Sequence, residues 1–343
     1  MREMLRNFFH AWERRLASAT SDRVVRPFEW GLDWIGGESN IADAAPADAL
    51  GGWVSGVMAD TDAFFTGPPT SDYRVEKTAS DEQLLTFPSA LVTPQPQNNT
   101  VYCRYFPAAR ARAAVLVLPQ WNADADGHAG LCRLLAWNGL SALRLSLPYH
   151  DRRMPPELHR ADYIVSANIA RTIQVCRQAV LDARRAVAWL HARGYERIGI
   201  LGTSLGSCLA LLTTAHEPLI RAEALNHISP YFADVVWRGL STEHVREGLN
   251  GHIELDLLRA LWKPISPRWY LERLRDRRTL LVYARYDLSF PVDLSEDLVK
   301  EFRDLHVPHE VAVLRCGHYS TGKTPFKFVD GWVLTRFLKR ALT

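Results

Sequence analysis

From residue 83 onward the chain alternates short apolar runs with amphipathic stretches, which restricts it to a sheet covered by helices on both faces. Ala113–Leu118 (AAVLVL) is apolar throughout, as a strand buried on both faces of a parallel sheet must be. Further strands are expected at 83–87, 101–106, 141–147, 197–201, 222–228, 279–284 and 310–314, and helices at 127–138, 161–193, 205–216, 292–303 and 325–339. The fold class is therefore α/β, with a mostly parallel central sheet of about eight strands. In such sheets ligands bind at the carboxyl ends of the strands, so chemistry is sought in the loops that follow them.

One of those loops carries Gly202-Thr203-Ser204-Leu205-Gly206, between a strand and a helix. A strand turning sharply into a helix needs small residues two before and two after the serine, and leaves its hydroxyl exposed over a helix N-terminus. Such a hydroxyl needs a general base, and the base needs a carboxylate to orient it. Asp287 follows the strand at 279–284, and His318 follows the strand at 310–314. The catalytic candidates are thus Ser204, Asp287 and His318, with Asp234 as the fallback acid. Two backbone N–H groups are needed for an oxyanion: Leu205, just after the serine, and Trp121 in the loop after 113–118, with Gln120 the second choice there.

Residues 83–340 resemble an α/β-hydrolase-fold serine hydrolase, on GTSLG at 202–206, YDLSFP at 286–291 and GHYS at 317–320. The resemblance implies an eight-stranded, mostly parallel sheet and acyl-enzyme chemistry. The oxyanion loop departs from the family pattern, with Pro119-Gln120 where His-Gly is usual. Residues 232–275 fall where the family often carries a lid, and Trp237, Trp262, Trp269 and Tyr270 would give that lid an aromatic inner surface. Residues 1–80 lie outside the resemblance and are read as an extension packed on a catalytic domain at 81–343.

A competing motif overlaps the histidine. Residues 317–324 (GHYSTGKT) match the phosphate-binding pattern GxxxxGK[ST] after a strand. Only 19 residues follow Thr324, too few for the later strands such a nucleotide site requires, so nucleotide binding is the minor alternative. Asp124, Asp126 and His128 read as a helix start and not as metal ligands. The loop with Tyr149, His150, Arg152 and Arg153 reads as an ion-paired structural loop, with an anion subsite as the lesser reading.

The formal net charge of +3, from 41 basic and 38 acidic residues, is too balanced to make nucleic acid a partner. Five cysteines (103, 132, 176, 208 and 316) lack CxxC spacing, which points to a reducing compartment and a cytoplasmic protein. Cys208 reads as helix core, while Cys316 lies within reach of thiol reagents in sequence terms. Residues 1–20 form a basic amphipathic pattern, read as a helix docked on the main domain, with peripheral membrane contact as the alternative. The expected function is hydrolysis of a small-molecule carboxylic ester without metal or cofactor. A lipid acylhydrolase, or an amidase or peptidase, would use the same residues.

Overall fold

The computed structural model describes residues 2–20, 22–36, 45–78 and 82–343. Nine strands form one sheet: β1 (Arg74–Lys77), β2 (Gln83–Pro88), β3 (Thr100–Phe106), β4 (Ala113–Leu118), β5 (Ser141–Leu145), β6 (Arg197–Thr203), β7 (Ile220–Asn226), β8 (Arg278–Ala284) and β9 (His309–Leu314). Their spatial order is β1-β2-β3-β5-β4-β6-β7-β8-β9. The first three strands run antiparallel to their neighbours, β3 is antiparallel to β5, and every pairing from β5 to β9 is parallel.

The pleat of β4 explains its unbroken apolar run. All six of its residues are buried. Ala114, Leu116 and Leu118 enter one core and Ala113, Val115 and Val117 the opposite one, because successive side chains leave opposite faces. The first core is closed by helices α2 (Pro46–Ala59), α3 (Thr61–Phe64), α5 (Ile169–Ala192) and α6 (Leu205–His216), the second by α1 (Arg2–Ala17), α4 (Ala129–Trp137) and α12 (Phe326–Leu342). After β4 the chain moves to β5 on one side and returns to β6 on the other, so the crevice above β4 and β6 is the topological switch point.

Two expectations shift, and a third falls outside the described residues. β1 lies within the segment assigned to the extension and pairs with β2, which makes nine strands instead of eight. The boundary expected at 80/81 lies outside the described residues. Helix α5 starts at Ile169 and not at 161, because Asn168 caps it by accepting a hydrogen bond from the Arg171 N–H at 3.0 Å. The residues before that cap form a loop in which Asp162 pairs with Arg26 at 3.0 Å.

Between β7 and β8, residues 232–275 form α7 (Phe232–Arg238), α8 (Glu243–Leu249), α9 (Leu255–Leu261) and short 3-10 turns. Past β8 come α10 (Val292–Asp304), β9 and the short α11 (His318–Thr321). Among the described residues no helix is long and apolar enough to cross a membrane.

Candidate active site

Ser204 joins β6 to α6 with φ 56° and ψ −120°, a strained conformation for a residue with a side chain. The backbone holds it there. The Ser204 N–H donates to Asn226 O at 2.7 Å, and the Ser207 hydroxyl contacts both Ser204 O and His227 O at 2.6 Å. The flanking glycines are steric necessities: a Cβ on Gly202 would overlap the Gly206 carbonyl, and one on Gly206 would overlap the carbonyls of Leu118 and Pro119. Non-glycine residues with positive φ follow four adjacent strands: Asn122 after β4, Tyr149 and Asp151 after β5, Ser204 after β6 and His227 after β7. Strain is thus concentrated on one edge of the sheet.

Asp287 and His318 meet on that edge. His318 Nδ1 lies 3.1 Å from Asp287 Oδ2, while Asp287 Oδ1 accepts the N–H groups of Ser289 at 2.8 Å and Phe290 at 2.7 Å. Burial acts to raise the Asp287 pKa, but the charge of His318 and the hydrogen bonds from two imidazoles hold it well below the usual carboxylate range. Burial acts to lower the His318 pKa. The charge and hydrogen bond of Asp287, aided by Glu13, outweigh burial and place it above the ordinary value. Among the described residues no hydrogen bond joins the Ser204 hydroxyl to His318. Both residues line one cleft, and such contacts often close only when substrate binds.

Two participants went unseen in the sequence. His227, directly after β7, places Nδ1 at 2.8 Å from the same Asp287 Oδ2, so one carboxylate oxygen serves two imidazoles. The three residues also form the one cluster of metal-ligand type among the described residues. Both Nδ1–Oδ2 distances are those of hydrogen bonds to an ionised carboxylate, which accounts for the cluster without an ion. The second participant is Glu13 of α1, fully buried, whose carboxylate accepts the Tyr319 N–H at 2.8 Å and the Ser320 N–H at 2.9 Å. On the same helix Phe9 stacks on Tyr286 at 4.6 Å, next to Asp287. The first helix therefore docks against both the acid loop and the histidine loop.

The loop after β4 is equally built. Asn122 donates its N–H to His150 Nε2 at 2.9 Å and accepts the Ala161 N–H on its side-chain oxygen at 2.8 Å. The Trp121 indole donates to Ala161 O at 2.9 Å. These bonds set Trp121 beside Ser204, where Leu205, as the first residue of α6, has no helical acceptor for its N–H.

Two cavities meet at Ser204. A small apolar pocket of about 50 Å³ is lined by Trp121, Leu205, Cys208, Phe232, Val236 and Phe290. A larger cleft of about 1260 Å³ has Asn226, His227, His318 and Asp330 in its walls together with apolar Leu131, Leu134 and Trp332.

The remaining expectations resolve by packing. Asp234 pairs with Arg259 at 2.6 Å and is not at the site. Arg153 is fully buried against Asp182 at 2.8 Å, Tyr149 donates to Gln95 at 3.0 Å, and Arg152 lies over the Tyr102 ring, so this loop is structural. Asp124 caps the turn at Asp126 and Gly127, Asp126 pairs with Arg104 at 2.9 Å, and half-buried His128 contacts the Thr203 hydroxyl at 3.0 Å. Burial pushes the Cys316 thiol up to about 12, so it is inert and not within reach of thiol reagents. Cys208 packs in α6 as expected. Trp237, Trp262, Trp269 and Tyr270 line neither cavity: Trp262 is buried with its indole on Ile169 O at 3.2 Å, and Tyr270 donates to Pro264 O at 2.8 Å. The 232–275 segment instead contributes Phe232, Val235, Val236 and Pro267 to the small pocket.

The nucleotide reading of 317–324 fails on its amides. Glu13 already occupies the N–H groups of Tyr319 and Ser320, and a carboxylate in that position repels phosphate. The Gly317 N–H is taken by the Ser320 hydroxyl at 2.8 Å, and no strand follows.

No protein-family model and no curated protein matches this chain. Solved structures do. An acetyl xylan esterase from Thermoanaerobacterium is similar over 96% of this chain and 98% of its own, with a TM-score of 0.61 and 11% identity. An esterase of Pyrococcus furiosus is similar over 81% and 96%, with a TM-score of 0.54 and 15% identity. An acylaminoacyl peptidase of Pyrococcus horikoshii has a TM-score of 0.58 and 13% identity over 79% of this chain, which spans only 42% of that protein. At such identities the likeness establishes the α/β-hydrolase fold.

Proposed function

We propose that the protein is a serine hydrolase acting on carboxylic esters. The observation that carries this reading is the Asp287–His318 hydrogen bond at 3.1 Å on the rim of a cleft that strained Ser204 also lines. Ser204 attacks the ester carbonyl while His318 takes its proton. The N–H groups of Leu205 and Trp121 stabilise the oxyanion as the bond to the leaving alcohol breaks. His318 protonates that alcohol, then activates the water that hydrolyses the acyl-enzyme. Asp287, held ionised by the charge of His318 and the hydrogen bonds from two imidazoles, keeps His318 in the tautomer that leaves Nε2 free to accept the proton.

The test is labelling by a fluorophosphonate, with the adduct located by peptide mapping. The adduct should sit on Ser204 and vanish in Ser204→Ala. Failure to label the folded protein would overturn the reading.

One observation favours a lipid acylhydrolase as the second reading. Phe328 and Trp332 on α12, with Trp137 at the end of α4, are exposed and border the cleft beside Lys327 and Arg336. Met4, Leu5 and Phe8 are exposed on α1, which packs on α12 through Phe9 and Phe326. Aromatic residues interleaved with cations at a site mouth suit an anionic membrane surface.

A further inference from the structure

The cleft contains hydrogen-bond acceptors that nothing in the protein satisfies. His227 Nε2, Asn226 Oδ1 and Thr335 Oγ1 are each buried without a partner, and all three residues line the cleft beside Ser204 and His318. Leaving a buried polar atom unpaired is unfavourable, so three such atoms on residues of one cleft call for a ligand.

Their chemistry is fixed by their other bonds. Asp287 is ionised, so the short contact at 2.8 Å requires His227 Nδ1 to carry the proton. Burial, and then the charge of His318, lower the His227 pKa and keep the ring neutral. Its Nε2 is consequently a bare lone pair. Asn226 donates its amide N–H₂ to both oxygens of Asp330, at 3.1 and 3.0 Å, which leaves its buried carbonyl oxygen as an acceptor without a partner. His227 is also rigidly aimed: φ is 61°, its N–H donates to Val282 O at 2.8 Å, and its C=O accepts from Ser207 at 2.6 Å.

We propose that His227 Nε2, Asn226 Oδ1 and Thr335 Oγ1 form a subsite for hydroxyl groups of the substrate, so that the ester cleaved at Ser204 is that of a polyol. This deepens the serine-hydrolase reading and rests on it. Hydroxyls suit the subsite better than an ammonium for two reasons. The acceptors are neutral, and Lys327, Arg336, Lys339 and Arg340 line the same cleft and repel a cation. Asp330 does not reverse this balance, since burial pushes its pKa up to about 7 and its oxygens already hold Asn226. Asn226, His227 and Thr335 line the larger cleft and not the small apolar pocket, which assigns the polyol and the acyl chain to different walls. A site built to bond a hydroxyl discriminates strongly against the analogue that lacks it, because its acceptors are then left dry and unpaired.

The test uses two 4-nitrophenyl methylphosphonates that differ only in their ester group, propyl or 2,3-dihydroxypropyl. In each, the Ser204 oxygen bonds to phosphorus and 4-nitrophenolate leaves, so the rate is read from released nitrophenolate and the adduct from intact mass. The dihydroxypropyl compound should label Ser204 at least about tenfold faster, the worth of one or two hydrogen bonds. His227→Asn leaves an amide N–H where Nδ1 stood, able to reach Asp287, and removes Nε2. In that variant the rate ratio should fall to about threefold or less. Thr335→Val, which keeps the side-chain shape, should lower the ratio by a smaller factor and provides the test if His227→Asn fails to fold. Equal rates for the two compounds in the unmodified protein, with Ser204 labelled by both, would overturn the subsite and leave it a place for water. A ratio unchanged in the variants would do the same. Labelling by neither compound would remove the hydrolase reading and this inference with it.

Discussion

Removing the Glu13 carboxylate tests whether the first helix is part of the catalytic apparatus. Glu13 is 306 residues away in sequence from the Tyr319 N–H it accepts at 2.8 Å, and it fills the space beside Gly317. In Glu13→Ala two buried amides, those of Tyr319 and Ser320, lose their acceptor. At about 1–3 kcal/mol for each orphaned donor the loss is about 2–6 kcal/mol. Unfolding entropy of about 2.1 cal/mol/K per residue, over 343 residues, converts this to a fall in Tm of roughly 3–8 °C. The second consequence concerns catalysis. Glu13 is one of the groups that raise the His318 pKa, so its removal lowers that pKa. His318 must be neutral to accept a proton, and the acid limb of kcat/KM therefore moves to lower pH in the variant. Glu13→Gln keeps the volume and one acceptor; it should lose less Tm yet shift the acid limb in the same direction. Calorimetry and a pH–rate profile on a soluble ester read both effects. A Tm within one degree of the parent, together with an unmoved acid limb, would refute the reasoning.

Asp287→Asn should act on the same titration more strongly. Asp287 is the largest influence raising the His318 pKa, so its neutral replacement moves the acid limb down, while kcat falls by about 10⁴ through loss of the correct tautomer; a variant with near-parental kcat would dismiss Asp287 as the acid. The membrane reading predicts that Phe8→Ser combined with Trp332→Ser weakens binding to vesicles of anionic phospholipid by about tenfold or more, from the apolar area of the two exposed side chains. Cosedimentation measures this, and equal binding by variant and parent would remove that reading.

What the sequence made legible follows from local physics. Apolar runs such as AAVLVL announce buried parallel strands, because both faces of the sheet are covered, and β4 occupies the expected residues. The elbow was readable because the sharp turn from strand to helix demands glycine at 202 through contacts with Gly206 and Ser207, and glycine at 206 where the turn meets the carbonyls of Leu118 and Pro119. Asp287 and His318 were readable because each directly follows a strand. β1 was missed because its residues, Arg-Val-Glu-Lys, are all exposed at the sheet edge and show no alternation. Glu13 was missed for the opposite reason. In a helix that also carries Arg6, Arg14 and Arg15 a glutamate reads as one more solvated charge, and only the tertiary contact reveals it as fully buried. His227 carries no local signal either, since its role depends on an aspartate 60 residues further along the chain.

The same contacts alter how the first residues should be understood. A boundary near residue 80 separates an extension from a catalytic domain only along the sequence. In space, Glu13 holds the backbone of the His318 loop, Phe9 stacks on the residue before Asp287, and Arg23 donates to the Tyr319 hydroxyl at 3.0 Å. Thr20 and Arg23 also line the cleft. Removing this segment would therefore uncover the loops of Asp287 and His318 and open one wall of the cleft at once. The α/β sheet brings its strand ends together but leaves the histidine loop, which follows the last strand, without a neighbour on its outer side. In this chain the first helix supplies that neighbour, which ties the geometry of His318 to the opposite end of the polypeptide.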